Sequence, residues 1–101
     1  MNSSQLLKRR QQILLQIQDL KQIRRGSVSE QFVEATLKDG SQVRRGPYHL
    51  YTFKDKQQTV SRRLCDPREV KICREQIAAF RRFQQLTTEL LTIGEQVSLI
   101  L

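Results

Sequence analysis

The stretch DGSQVRRGPYHLYTFKDKQQTVSRR, Asp39 to Arg63, decides how this chain is read. Asp39-Gly40 reads as a two-residue type I′ hairpin turn, because both central positions of that turn need positive φ and these residues tolerate it. A strand returns from Ser41. Gly46-Pro47 interrupts it, since proline donates no ladder bond, and a bulge, bend or edge position is expected there. The strand resumes from Tyr48 to Lys54 with Tyr51 and Phe53 along it. Asp55-Lys56-Gln57-Gln58 is a polar connection into a last strand, Thr59 to Leu64. Upstream, Ser27 to Lys38 alternates, with Val33, Ala35 and Leu37 on one side and Phe32, Glu34 and Thr36 on the other. Residues 27–65 therefore read as a basic three-stranded antiparallel β-meander.

A helical pattern stands on either side. Up to about Arg25 there is neither Gly nor Pro, and Leu6, Ile13 and Leu20 stand seven apart with Ile17 between two of them. Ser3 or Ser4 suits the cap, Arg24 and Arg25 complement the dipole at the far end, and Gly26 is the stop. After the meander, Asp66-Pro67-Arg68-Glu69 is a strong helix start: Asp66 at the cap, Pro67 first, Glu69 closing a capping box. From there a coiled-coil-like heptad runs to Leu101. Ile72, Ala79, Leu86, Ile93 and Ile100 occupy one core position and Phe83, Leu90 and Val97 the other, with Gln76 as the exception.

The fold class is thus α+β in a single domain, 1–101: helix 1–25, meander 27–65, long helix 66–101, the two helices packed antiparallel. The first helix is about 22 residues and the second about 33, so roughly three turns of the second lack an intramolecular partner. Phe83, Leu86, Leu90, Ile93, Val97 and Ile100 are therefore the candidate oligomerisation residues, and a homodimer or a partner helix is expected over them. A helix ending at Gly94 is the competing reading.

Charge points to a polyanionic partner. The chain has 101 residues with 18 Lys and Arg against 10 Asp and Glu, a formal charge of +8, which favours nucleic acid through counterion release and long-range steering. Within residues 38–63 the cations Lys38, Arg44, Arg45, Lys54, Lys56, Arg62 and Arg63 face only Asp39 and Asp55, and nothing after Arg82 is basic. Five Arg-Arg pairs stand at 9/10, 24/25, 44/45, 62/63 and 81/82. Neighbours on a strand point to opposite faces, and on a helix they diverge by about 100°, so each pair keeps one guanidinium outward whichever face is buried. The candidate nucleic-acid-binding residues are Arg44, Arg45, Lys54, Lys56, Arg62 and Arg63, with Tyr48 and Tyr51 available to stack on bases. DNA and RNA are equally open, and both alternations of the Tyr48 strand contain aromatics, so the pattern does not say which face is exposed.

Other chemistries find little support. Cys65, Cys73 and the single His49 do not make the paired four-ligand spacing of a zinc site, so neither metal nor cofactor is expected. The two cysteines suit a reducing compartment, and no apolar run reaches membrane-spanning length, which leads to a soluble, cytoplasmic expectation. His49 has no nucleophile beside it, no phosphate-cradling glycine loop occurs, and Asp39, Asp55 and Asp66 each have a turn or cap explanation. An enzyme is not expected.

Arg25-Gly26-Ser27-Val28-Ser29-Glu30-Gln31-Phe32, Arg45-Gly46-Pro47-Tyr48, Thr59-Val60-Ser61-Arg62 and Arg81-Arg82-Phe83 together resemble a family of small uncharacterised bacterial and archaeal proteins. The resemblance runs over about residues 24 to 95, and Gly-Pro-Tyr with its spacing is its most specific part. Many relatives in that family carry a zinc-knuckle-like cysteine cluster where this chain has Lys38 to Arg45. No cysteine stands there, so no metal is carried over, and the Asp39-Gly40 hairpin is expected to take the structural role. Family members often occur in the setting of transposases. The resemblance thus implies a small basic nucleic-acid-binding accessory protein of a mobile element, with an assembly adaptor acting through the apolar C-terminal helix as the alternative.

Overall fold

The computed structural model describes residues 2–100. The order of elements is α1 (Ser3–Asp19), β1 (Ser27–Thr36), β2 (Gln42–Asp55), β3 (Gln58–Leu64) and α2 (Pro67–Ile100), an α+β arrangement. Two compact units divide them: a helical hairpin of residues 2–23 and 78–100, and a sheet unit, Arg24–Ile77. Each is described by itself; α2 contributes its first turns to the sheet unit and the rest to the hairpin.

In the hairpin, the cap of α1 falls one residue before the expected serines. Asn2 is the cap: its side chain accepts from the Gln5 N–H at 2.8 Å, and the Gln5 side chain accepts from the Asn2 N–H at 3.1 Å. The box forms because Asn2 has Gln5 three residues on, whereas Ser3 and Ser4 lack an acceptor at the matching place. Leu6 and Ile13 interlock with Leu86 and Ile93, all four buried, and Ile17, Leu20, Leu90 and Val97 pack against them. Two polar pairs set the register. Arg9 grips Glu89 with two hydrogen bonds, 2.6 and 2.8 Å, and Arg82 donates to Gln16 at 2.7 Å. Seven residues forward on α1 match seven back on α2, which is the signature of an antiparallel pair.

This shortens the expected overhang to the last turn. α1 covers α2 as far as Val97, while Leu99 is 89% and Ile100 52% exposed. Leu86 and Ile93 are buried inside the chain and are withdrawn as oligomerisation residues; Leu90 and Val97 pack on the same cluster, Phe83 stacks on Phe80, and only Ile100 of the six is exposed. The first turns of α2 pack on the sheet and leave its second half to α1, so helix lengths alone misplace the unpaired segment. Gly94 does not stop the helix, which continues to Ile100. Leu101, expected at its end, lies outside the described residues.

α1 ends at Asp19, not near Arg25, and Leu20 leaves helical backbone at φ −84, ψ 80. Tertiary partners replace the helical ones. The Arg24 N–H donates to the Gln76 carbonyl at 3.0 Å, and the Tyr51 hydroxyl donates to the Arg25 carbonyl. Arg24 lies 5.1 Å from the centre of the Tyr51 ring, so it caps no helix. Gly26 is not a helix stop either: at φ +120, a Cβ there would press into the Thr52 carbonyl and the Tyr51 ring. It lets the chain pass tightly over β2.

The sheet order is β1-β2-β3, both pairs antiparallel. The first turn is one residue longer than expected. The Leu37 N–H donates to the Ser41 carbonyl and the Gly40 N–H to that of Leu37, enclosing Lys38-Asp39-Gly40, and of these residues only Gly40 has positive φ. Asp39 stays in ordinary backbone because its carboxylate accepts from both the Ser41 N–H and hydroxyl, 2.9 and 2.6 Å, an Asx-turn solution. Those bonds hold the Asp39 carboxyl below the usual carboxylate range. The two-residue turn lies instead at Lys56-Gln57, with φ 51 and 69 between the paired Asp55 and Gln58.

The bulge falls where Gly46-Pro47 predicts it. Gln31 pairs with Tyr48 and Val33 with Arg45, so Phe32 alone faces Gly46 and Pro47, whose peptide is cis. β2 is the central strand, yet β3 ends at Leu64 opposite His49, so Pro47 has no β3 neighbour that would need its missing N–H. Beyond that point β1 and β2 continue as a two-stranded ribbon.

One face of the sheet packs on α2. Tyr51, Leu64, Val70, Cys73 and Ile77 are buried together, with Val28 and Phe53 against them. The seam of α2 here is Val70-Cys73-Ile77, not the heptad that began at Ile72, which is half exposed. Cys73 is wholly buried and Cys65 exposed, both as free thiols. Asp66 caps α2 by accepting from the Arg68 N–H at 2.9 Å, while Glu69 accepts from Arg62 at 3.0 Å, tying β3 to the helix.

Candidate nucleic-acid interface

Register assigns every strand residue to a face, because directly paired residues point the same way and successive residues alternate. Val28, Glu30, His49, Tyr51, Phe53, Val60, Arg62 and Leu64 share the helix-bearing face. Ser29, Gln31, Tyr48, Leu50, Thr52, Lys54, Ser61 and Arg63 share the other. The extra residue at Gly46-Pro47 shifts the alternation, placing Arg45 with Val33 on this second, open face and Arg44 with Glu34 on the first.

The eight predicted residues therefore separate. Arg45, Tyr48, Lys54 and Arg63 share the open face. Arg44 lies on the opposite side of the ribbon, its guanidinium 3.9 Å from the centre of the Phe32 ring. Arg62 belongs with Glu69, Lys56 occupies the tight turn, and Tyr51 is core, 7% exposed and stacked on Phe53 at 4.9 Å. Burial pushes the Tyr51 hydroxyl above the usual phenol range, only partly offset by Arg24, so it remains a proton donor to the Arg25 carbonyl. Tyr51 is accordingly withdrawn as a stacking residue.

Acidic side chains divide just as sharply. Glu30, Glu34 and Asp55 are the carboxylates carried by the strands, and all three fall on the helix-bearing side. There Glu30 lies 3.6 Å from His49 and 3.5 Å from Arg74 of α2. The open face holds Arg45, Lys54 and Arg63 with no carboxylate among its strand residues, between hydroxyls and amides from Ser29, Gln31, Thr52 and Ser61. Thr52 and Ser61 are joined at 3.1 Å across the strands. Arg63 lies 4.1 Å from the centre of the Tyr48 ring, a cation–π contact.

Sequence reasoning did not single out Ser29, Gln31, Leu50, Thr52 or Ser61. Their signal was present only as period-two neighbours of Lys54 and Arg63, and it becomes readable once the bulge fixes the register. Among the described residues no group of three or more His, Cys, Asp or Glu is placed to hold a metal ion, and no helix is long and apolar enough to cross a membrane. Compared with known protein families, curated proteins and solved structures, the chain matches none.

Proposed function

We propose that the chain binds nucleic acid through the open face of its sheet. The single observation that carries the reading is the sorting of charge: the uncovered face bears Arg45, Lys54 and Arg63 without a carboxylate, and the acidic strand residues all lie behind it. A surface evolved only for solubility gains nothing from such a division. Arginine forks and the lysine ammonium suit phosphate oxygens, while the Tyr48–Arg63 stack offers a plane on which a base extends the pile. A stacking ring among cations fits an unpaired strand, because bases in a duplex have no free face to offer. The accessory role in a mobile element, which the family resemblance implies, belongs to the same proposal and rests on that residue match.

The test is fluorescence anisotropy with short labelled single- and double-stranded DNA and RNA at two salt concentrations. Replacing Arg45, Lys54 and Arg63 together by Ala is expected to weaken single-strand binding about tenfold or more near physiological salt. It should also flatten the logarithmic salt slope by about two, three phosphate contacts at roughly 0.7 each. The Arg44→Ala/Arg62→Ala pair removes cations of the other face and should change binding less than about threefold. Equal losses from both variants, or none from either, would refute the assignment of the face.

A further inference from the structure

The helical hairpin has a polar flank and an apolar one, and they differ in what they satisfy. On the polar flank Arg9 meets Glu89 and Arg82 meets Gln16. On the other, Thr87, Leu91, Gly94 and Ser98 form a second stripe on α2 at helical spacing, bordered by Leu90 and Arg10 towards α1 and by Glu95 away from it, with Leu99 at its end. These residues line an open groove. Leu91 is 64% and Leu99 89% exposed, and nothing lies within 4 Å of where a Cβ on Gly94 would sit. Among the described residues neither Arg10 nor Glu95 has an ion-pair partner.

From this geometry we infer that a second copy of the chain packs on the stripe, α2 against α2, with the two-fold axis parallel to the helix. The charges choose both the partner and the axis. One wall of the groove is cationic and the other anionic. When two identical helices pack in parallel about a two-fold axis, the left wall of each meets the right wall of the other, so Arg10 faces Glu95 twice. An antiparallel contact would oppose Arg10 to Arg10 and Glu95 to Glu95. The patch is therefore self-complementary in one of the two arrangements, which is what an isologous interface requires. Thr87, Gly94 and Ser98 are small, so the helices can approach closely, and Leu91 supplies the apolar anchor. The inference is independent of the nucleic-acid reading, since none of its residues lies in the sheet.

Sedimentation equilibrium on the full chain, with circular dichroism melts as the control for folding, tests it. The wild-type chain is expected to be dimeric at about 100 μM. Arg10→Glu and Glu95→Arg should each weaken the dimer about tenfold or more, because each places like charges across both contacts. Mixing the two variants should restore a mixed dimer of near wild-type affinity, an outcome that no pairing within one chain can produce. Gly94→Leu adds a side chain where the isolated chain has free space, so it should abolish the dimer without lowering the monomer's helical content. A monomeric wild-type chain at this concentration would overturn the inference and leave the groove to a different occupant. So would charge variants that dimerise unchanged, or a mixture that fails to recover.

Discussion

The two faces of the sheet are built from the same three strands and differ in almost every property that matters. Behind, Tyr51 and Leu64 lock onto Val70, Cys73 and Ile77, and the charged groups pair locally, Arg62 with Glu69 and Glu30 with His49 and Arg74. In front, the cations Arg45 and Lys54 stand without acids and Arg63 rests on Tyr48. The helical hairpin repeats the division, with Arg9 held by Glu89 on one flank and, on the other, Arg10 without an ion-pair partner among the described residues. Adjacent arginines are what make this possible. In the pairs 9/10, 44/45 and 62/63 one member is turned to an intramolecular partner, Glu89, Phe32 or Glu69, and its neighbour points elsewhere. One dipeptide thus serves the fold and the surface together.

The two tyrosines offer the most forceful way to break that comparison. Tyr51→Ala empties a buried aromatic site and leaves the Arg25 carbonyl without its donor, so a loss of about 3–5 kcal/mol is expected in chemical denaturation. Tyr48→Ala should cost less than about 1 kcal/mol of stability, but about 1–3 kcal/mol of single-strand affinity in the anisotropy assay. If both variants behaved alike in either measurement, the faces would not be functionally distinct.

Gly26→Ala probes the helix-bearing side at the backbone. The new Cβ meets the Thr52 carbonyl at a φ that L residues rarely adopt, and a destabilisation of about 2–3 kcal/mol is expected in the same unfolding experiment. A neutral result would mean that the backbone relaxes around the added Cβ and that the tight passage over β2 does not require glycine.

The smallest effect sharpens the hairpin half of the comparison. The hydrogen-bonded Arg9 guanidinium holds the Glu89 carboxyl below the usual carboxylate range. A depressed folded-state value means stability that is complete above the ordinary carboxylate range and is lost as pH falls through the lowered value. Thermal melts down an acid series should therefore show Glu89→Gln with a shallower decline than wild type. Identical profiles for the two proteins would mean that the Arg9–Glu89 pair adds nothing to the fold.

Much of the fold was legible because its signals are local. Alternation in residues 27–37, the Asp66-Pro67 start and the seven-residue spacing of Leu6 and Ile13 each depend on a few neighbours. The errors share a cause. Leu20 to Arg25 continue a good helical composition, yet the backbone there is claimed by Gln76 and Tyr51, partners more than twenty residues away. Asp39-Gly40 was assigned the tight turn because Asp tolerates positive φ, and the Ser41 N–H and hydroxyl gave it a better alternative. Of the candidate site, the residue types were readable and the faces were not, since the bulge at Gly46-Pro47 inverts the alternation between Arg45 and Tyr48.

By itself, the sequence determined the element types and their order, the bulge, the start of α2 and the rule that one arginine of each pair stays outward. Those follow from steric preference and periodicity within a turn or two of chain. Only the tertiary structure decided that Tyr51 is core and Tyr48 is surface, that α1 pairs with the second half of α2, and that the acids of the sheet lie on one side. Each of those depends on register between segments distant in the chain, where a shift of one residue turns every side chain to the other face.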